Sequence, residues 1–424
     1  GIVYAEHCVT AIAPGFRGDP AKFAVASRLT RVMFPCLVFI GLGAVATGIL
    51  NSARRFFVPA LSSAALNVAM IGALLAGAGL ASGREAIVWL GWGVVAGGLL
   101  QLAIQLPLVA RVGAFPLPAA PWRTLGMGRV LALMGPAAFG VAILQINILI
   151  DRLLASFLIE GSVSHLYYAN RLVQFPHGLL SLAVTTAVFP VLSSHAAARA
   201  EGELRGALAQ AGRLTLFITL PATFGLLALA PSIIEVLFER DAFGAAQTAA
   251  SAGVLRAYAL GLVFFGIIRF LGAAFHARQD TRYPVRCANA GVAANVVLSL
   301  ALMLPLGAAG LALATSLASA LNAALLIRGM RRTEAAWPGA ALGRAARQLL
   351  LPAAAAGAAV FAIDRALWPH GASTLIRALW LFAEIAAAAG LYFTLSRLFA
   401  PDGYVPLRAL LRRGADGASG PKEG

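Results

Sequence analysis

The residues best suited to chemistry form one polar turn inside an apolar stretch, Y-Y-A-N-R-L-V-Q-F-P at 167–176. Tyr167 and Arg171 are four residues apart, as are Asn170 and Gln174, so a helix would place each pair on a common side. A guanidinium offers a planar pair of donors that matches the oxygens of a phosphate or pyrophosphate. A second role also fits, in which Arg171 extends to lipid headgroups from the end of a membrane helix. The residues alone leave both roles open.

A second polar set lies in the preceding apolar stretch, 130–159, which contains Gln145, Asn147, Asp151 and Arg152. Asn147 and Asp151 share a helix face because four residues separate them. A charge at the bilayer centre costs about 2.5–3.5 kcal/mol on insertion scales, so a carboxyl there needs a partner, a proton or a cation. Asp151 therefore has two explanations, an ion pair with Arg152 and a cation or proton site.

Further oxygen donors occur later in the chain, where Asn295 and Ser299 are one helical turn apart, as are Leu311 and Thr315. Oxygen atoms from neighbouring helices coordinate Na⁺ in transporters. The same side chains also form interhelical hydrogen bonds, which contribute about 0.6 kcal/mol on average in membranes. Both interpretations remain open here.

The elements that must position these residues are membrane helices. Of 424 residues, 60% are hydrophobic and 12% are charged, against roughly 25% charged in soluble domains. This composition excludes a soluble globule, a disordered chain and a secreted disulfide scaffold. The glycine-rich run 93–98 follows no strand, so we interpret it as close helix packing rather than a phosphate loop. Continuous apolar runs long enough to span a bilayer occur at 30–51, 57–81, 86–110, 130–159, 165–192, 208–238, 248–275, 284–305, 308–328, 346–363 and 375–399.

Basic residues alternate between the connectors, as expected if Lys and Arg collect on the cytoplasmic side. The connector 276–286 holds three arginines and the connector 160–164 holds none. This pattern predicts a cytoplasmic C-terminus and explains most of the net charge of +16 without a nucleic-acid partner. Because the chain begins with Gly, we expect it to be the C-terminal part of a longer protein, with the first twelve residues ending another span.

Several motifs occur in an order that resembles the MurJ/MviN family of lipid II flippases. They are A-P-G-F (13–16), L-T-R-V-M-F-P (29–35), G-S-V-S-x-L-Y-Y-A-N-R-L-V-Q-F-P (161–176), R-Q-D-T-R-Y-P-V (278–285) and G-L-A-L-A-T-S (310–316). The resemblance implies an all-α, polytopic membrane helix bundle of the multidrug/oligosaccharidyl-lipid/polysaccharide exporter superfamily. This chain would supply about eleven complete transmembrane helices and the remnant of one, from the end of the third to the fourteenth of fourteen helices.

The resemblance also implies a division of the chain. Residues 1–238 would hold the remainder of the N-terminal bundle and the start of the C-terminal bundle, including cavity helices 130–159 and 165–192. Residues 248–328 would continue the C-terminal bundle. The last two helices, within 346–399, would form a groove for a lipid tail, and 400–424 would be a cytoplasmic tail.

By the same resemblance, Arg171 corresponds to an arginine of the substrate cavity, and Ser164 and Gln174 flank it. Asn170 stands where many members have Asp, which keeps hydrogen bonding but not a proton relay. With the preceding span, the expected substrate-binding set is Arg171, Asn170, Gln174, Ser164, Gln145 and Asn147.

The family's sodium site would correspond here to Asp151, Asn295, Thr315 and the Leu311 carbonyl. Ser299 replaces an acidic ligand, so the site would carry less charge. Na⁺ is then the expected coupling ion, and no other cofactor is expected.

The expected activity is movement of undecaprenyl-pyrophosphate-linked peptidoglycan precursor across the bacterial inner membrane by alternating access. The expected partners are that lipid and the membrane lipids, with the chain acting as a monomer and not as an enzyme. One alternative is a related exporter of another lipid-linked oligosaccharide or of drugs. A membrane-embedded polyprenyl-phosphate transferase would need a cluster of carboxylates, whereas we interpret the acids as scattered in loops, at Glu160, Glu235, Glu239, Asp241 and Asp280.

Overall fold

The computed structural model describes residues 2–80, 84–113, 148–183, 188–198, 200–332 and 337–399, with the single positions 128, 132, 134 and 145. These residues are helical apart from turns, connectors and one isolated bridge. Eight helical segments among them are long and apolar enough to cross a membrane. The predicted class, an all-α membrane bundle, is therefore confirmed. The count of eleven spans and their places in a fourteen-helix family stay predictions.

Residues 1–157 form one compact unit. The helix Arg84–Arg111 packs through small residues against the two helices before it, Cys36–Ser52 and Phe57–Leu80. Gly93 lies against Ala69 and Ala73, and Gly97 lies against Leu66. The interpretation of the run 93–98 as close helix packing is confirmed. The helices of this unit are α1 (Ala5–Ile12), α2 (Pro20–Met33), α3 (Cys36–Ser52), α4 (Phe57–Leu80) and α5 (Arg84–Arg111), with a 3₁₀ turn at Pro14–Gly18.

Residues 158–424 form the second unit. Its longest uninterrupted helix, α8, contacts most of the others and buries apolar side chains along much of its length. The helices are α6 (Ser162–Ala183), α7 (Phe189–Ala197), α8 (Glu201–Phe238), α9 (Ala245–Ala259), α10 (Leu262–Ala277), α11 (Arg282–Arg331), α12 (Gly339–Leu367) and α13 (Thr374–Phe399).

The helix α11 is a hairpin rather than a single rod. Gly307 has φ +58° and ψ −136°, a conformation outside the helix that glycine adopts readily. The chain then folds back, so that Gly310 lies directly against the carbonyl of Leu302. Farther along, the Tyr283 hydroxyl donates to the Leu325 carbonyl at 3.0 Å. The two predicted spans, 284–305 and 308–328, are thus confirmed as separate helical segments.

The predicted span 248–275 is confirmed, since the helical segment Ala245–Ala277 is long and apolar enough to cross a membrane. A turn at Leu260 and Gly261 divides it into α9 and α10, although both residues keep right-handed helical dihedral angles. A side chain at Gly261 would fall 2.6 Å from the Ser316 hydroxyl, so the turn lies where the backbone approaches α11 closely. Apolar residues continue through the turn, and composition therefore gave no indication of it.

The interpretation of Glu235 as a loop residue is wrong. Glu235 lies inside α8, one turn before the helix ends at Phe238. Its carboxylate accepts from Arg377 Nη1 at 2.6 Å and from Trp368 Nε1 at 3.1 Å. The guanidinium and the indole thus satisfy an acid near the end of the helix.

Candidate functional site

One face of α6 carries most of the predicted substrate-binding residues. Ser164, Tyr167, Arg171 and Gln174 are all exposed, and their spacing of three and four residues places them on a single side of the helix. We call this set the polar face of α6. Asn170 is half-buried beside it and accepts from the Gln174 side-chain amide at 2.5 Å. The structure therefore brings together four of the predicted residues, including the Asn170–Gln174 pair.

The start of α6 is held by contacts that sequence reasoning missed. Gly161 has φ +90°, and a Cβ there would lie 2.9 Å from His165 Nε2. His165 Nδ1 lies 2.8 Å from the Ser251 hydroxyl of α9, with His165 only 6% exposed and Ser251 fully buried. A glycine before the helix and a histidine one turn into it were the available signs. These contacts fix the rotation of α6 about its axis.

The side of α6 opposite the polar face packs into the second unit. The Tyr168 ring lies 4.5 Å from the Phe238 ring and 5.7 Å from the Phe243 ring, measured between centroids. Ala169 and Leu180 are fully buried on this side. Because these contacts occupy the apolar side, Arg171 and Gln174 are directed away from the packed interior. Lipid tails cannot solvate such groups, so the polar face is suited to water or a polar ligand.

A second arginine lies on a neighbouring helix. Arg269 is exposed on α10, which packs against α6. At this contact the rings of His177 and Phe265 are 6.1 Å apart, and His177 is within electrostatic range of Arg269. A role for Arg269 could not be predicted from sequence, because one arginine in an apolar helix has no motif around it. The structure places two guanidinium groups on adjacent helices of this unit.

The remaining predicted substrate residues belong to the first unit. Gln145 is exposed, and Asn147 lies outside the described residues. Asp151 is half-buried and Arg152 is exposed, both in the helical stretch 148–155. Their roles stay predictions.

The predicted oxygen donors in the second unit lie along the hairpin of α11. The register of its two halves places 295–299 opposite 311–316. Asn295 is 1% exposed and Ser299 is fully buried. Thr315 Oγ1 donates to the Leu311 carbonyl at 3.1 Å. The two pairs predicted from spacing, Asn295 with Ser299 and Leu311 with Thr315, are therefore level with each other in the hairpin. The sodium site as a whole also needs Asp151 and stays a prediction.

The fold and the polar face together define a class. A bundle of apolar helices that presents a guanidinium, amides and hydroxyls along one exposed helix face is a multi-pass membrane protein of the transporter kind.

Comparison with known proteins gives the family. A family model described as lipid II flippase MurJ matches residues 1–378. A probable lipid II flippase MurJ of Rhizobium meliloti is 36% identical over 419 residues, which cover 96% of this chain and 77% of the relative. A solved structure of lipid II flippase MurJ in an inward closed conformation superposes with a TM-score of 0.76 at 25% identity, covering 95% of this chain and 79% of that one. The chain belongs to the lipid II flippase MurJ family.

Coverage of the other relatives is lower. A probable lipid II flippase MurJ of Vibrio cholerae is 39% identical over 316 residues, covering 74% of this chain and 60% of the relative. A lipid II flippase MurJ of Burkholderia cenocepacia is 37% identical over 339 residues, covering 78% of this chain and 65% of the relative. The chain thus spans less than two thirds of the length of several relatives that it matches.

Proposed function

We propose that this protein is a lipid II flippase that moves the undecaprenyl-pyrophosphate-linked peptidoglycan precursor across the bacterial inner membrane by alternating access. The observation that carries the proposal is the polar face of α6, in a chain that belongs to the MurJ family. The protein would be a transporter rather than an enzyme, since moving the lipid between leaflets changes no covalent bond. It would act as a monomer with its C-terminus in the cytoplasm.

In this proposal Arg171 binds the pyrophosphate. Its guanidinium is exposed and has amide and hydroxyl neighbours on the same face at Gln174 and Ser164. A hydrogen bond to a charged group contributes about 1.5–3 kcal/mol, and a guanidinium can form two to one phosphate. Asn170, half-buried and already bonded to Gln174, would hold that amide in place. The polyprenyl tail would remain in lipid.

Energy for the cycle would come from an inward-moving cation, with Na⁺ as the proposed ion. The membrane potential supplies about 2.3 kcal/mol per charge per 100 mV. Asn295 and Thr315, which lie level in the α11 hairpin, are proposed as ligands together with Asp151.

The test is complementation of a bacterium depleted of its own flippase, using the complete gene product. Arg171→Ala should abolish growth, and Arg171→Lys should largely fail because an ammonium does not reproduce the planar donor pair. Arg240→Ala is the matched control, since Arg240 is also exposed but lies in the connector after α8. Growth of the Arg171→Ala strain like wild type, at equal protein level in the membrane, would contradict the proposed role.

The same strain distinguishes the substrate. Depletion should cause lipid-linked peptidoglycan precursor to accumulate, and wild-type protein should reverse this. If a different lipid-linked oligosaccharide accumulated, or if only drug sensitivity changed, the protein would be a related exporter.

A further inference from the structure

Three carboxyl groups from three helices lie near one another in the second unit, at a site distinct from the polar face of α6. They are Glu235 of α8, Asp364 of α12 and Glu384 of α13. Asp364 is 8% exposed and Glu384 is 4% exposed. Asp364 is within electrostatic range of both Glu235 and Glu384. Acidic side chains within membrane segments are usually paired with a cation or a polar partner. The hydrogen-bond and ion-pair partners of these three carboxyls therefore indicate what the cluster does.

Glu235 is the compensated member of the cluster. Arg377 Nη1 donates to one of its oxygens at 2.6 Å, and Trp368 Nε1 donates to the other at 3.1 Å. The side chains of Arg377 and Glu235 are 20% and 17% exposed. Both lie near helix ends, since Glu235 is one turn from the end of α8 and Arg377 is three residues after the start of α13. The helix α12 also ends here, just before Trp368. The guanidinium is thus committed to Glu235 at the rim of the cluster.

In the described part of the chain, the hydrogen bonds to Asp364 and Glu384 come only from neutral donors. The Ser232 hydroxyl donates to Asp364 Oδ1, and Trp380 Nε1 donates to Glu384 Oε1 at 2.8 Å. Glu384 Oε2 is buried and has no hydrogen-bond partner among the residues that the structure describes.

The other charged groups that face Asp364 are turned towards the surface. Arg365 and His370 act on it electrostatically, but both are exposed. The Arg365 guanidinium lies over the Phe361 ring at 5.6 Å. Neither group has a hydrogen bond or ion pair to Asp364 in the described part of the chain. Two buried carboxyls therefore share the interior without a cation in contact.

We propose that Asp364 and Glu384 form a proton-binding site between α8, α12 and α13, with the Glu235–Arg377 ion pair at its rim. A buried carboxylate with no cation in contact is strongly disfavoured, and a proton neutralises it without needing space. The free Glu384 Oε2 is the atom that accepts the proton.

The depth of the carboxyls gives the site a direction. Glu384 is seven residues beyond Arg377 on α13, which is about 10 Å along a helix axis. The carboxyls thus form a series from the helix ends inwards, with Glu235 first and Glu384 deepest. The alternation of charged connectors predicts that this end is extracytoplasmic, so the proton would exchange with that side.

The test is infrared spectroscopy of the purified complete protein titrated with pH. Wild type should show the C=O band of a buried carboxylic acid at neutral pH, shifted in D₂O and lost at higher pH. The band should disappear in Glu384→Gln and weaken in Asp364→Asn. Glu160→Gln, which changes an exposed acid, is the matched control and should keep it.

A wild-type measurement covers the case in which a variant fails to fold. Labelling wild-type protein with ¹³C-glutamate should shift the band, which assigns it to a glutamic acid without any substitution. No such band at neutral pH, or a band that neither the label nor the variants change, would overturn the proposal. A gain in thermal stability in NaCl over choline chloride that Glu384→Gln abolishes would also overturn it, because a cation would then occupy the site. None of these measurements depends on transport, so they stand apart from the flippase proposal.

Discussion

Gly161→Ala should destabilise the protein strongly, although it adds only one methyl group. Gly161 has φ +90°, a left-handed conformation that costs a residue with a Cβ about 1–3 kcal/mol. The new methyl would also lie 2.9 Å from His165 Nε2 and push the imidazole away from Ser251. A side-chain hydrogen bond within a membrane contributes about 0.6 kcal/mol on average and up to about 1.7 kcal/mol. Together these terms predict a loss of about 2–4 kcal/mol.

Gly178→Ala on the same helix is the matched control. Gly178 is helical, and a Cβ there would meet nothing within 4 Å. Alanine at such a position stabilises a helix by about 0.5–1 kcal/mol relative to glycine. The two variants make the same chemical change but should differ by roughly 4 kcal/mol, which is several hundredfold in the unfolding equilibrium constant.

The assay is equilibrium unfolding in mixed micelles with an increasing fraction of a denaturing detergent. Ser251→Ala tests the hydrogen bond separately and should cost less than Gly161→Ala, because it leaves the backbone of Gly161 unstrained. Equal stability of the Gly161 and Gly178 variants would refute the reasoning, since neither the backbone conformation nor the contact with His165 would then matter.

Three further outcomes are expected. Arg377→Leu should lower the free energy of unfolding by about 3 kcal/mol, because it leaves Glu235 largely buried without a cation. Glu235→Gln should lower it by less, and a larger loss for Glu235→Gln than for Arg377→Leu would contradict this account. Glu160 and Gln279 are both exposed. In a cysteine-free background, an impermeant thiol reagent outside the cell should label Glu160→Cys but not Gln279→Cys. Equal labelling of the two variants would refute the predicted topology. Purified protein should gain thermal stability in NaCl over choline chloride, and Asp151→Asn should abolish the gain; no difference between the salts would remove the support for a sodium site.

The class of fold could be predicted because it depends on local properties of the chain. The length of an apolar run decides whether a helix can span a bilayer, and no distant residue is needed to see it. The polar face of α6 was predictable for the same reason, since helical periodicity alone places Arg171 and Gln174 on neighbouring positions of one side. The hairpin at Gly307 also followed from sequence, because only a short connector separates the predicted spans 284–305 and 308–328.

Features that depend on contacts between distant residues could not be predicted. Glu235, Asp364 and Glu384 are separated by more than a hundred residues at the extremes, and no local motif links them. Only the packing of α8 against α12 and α13 brings them together. The turn at Gly261 could not be predicted for the same reason, because it coincides with the close approach of Ser316 and with no signal in the neighbouring sequence.

The two sides of α6 contribute differently to the proposed site. Among the residues that the structure describes, no hydrogen bond or ion pair holds the Arg171 side chain, so its direction depends on how the helix is rotated. That rotation is fixed on the opposite side, by the His165–Ser251 contact and by the Tyr168 ring against Phe238. Substitutions on the buried side should therefore impair transport while leaving every proposed substrate contact chemically intact. Loss of function there would report on the orientation of the polar face, whereas loss at Arg171 would report on binding itself.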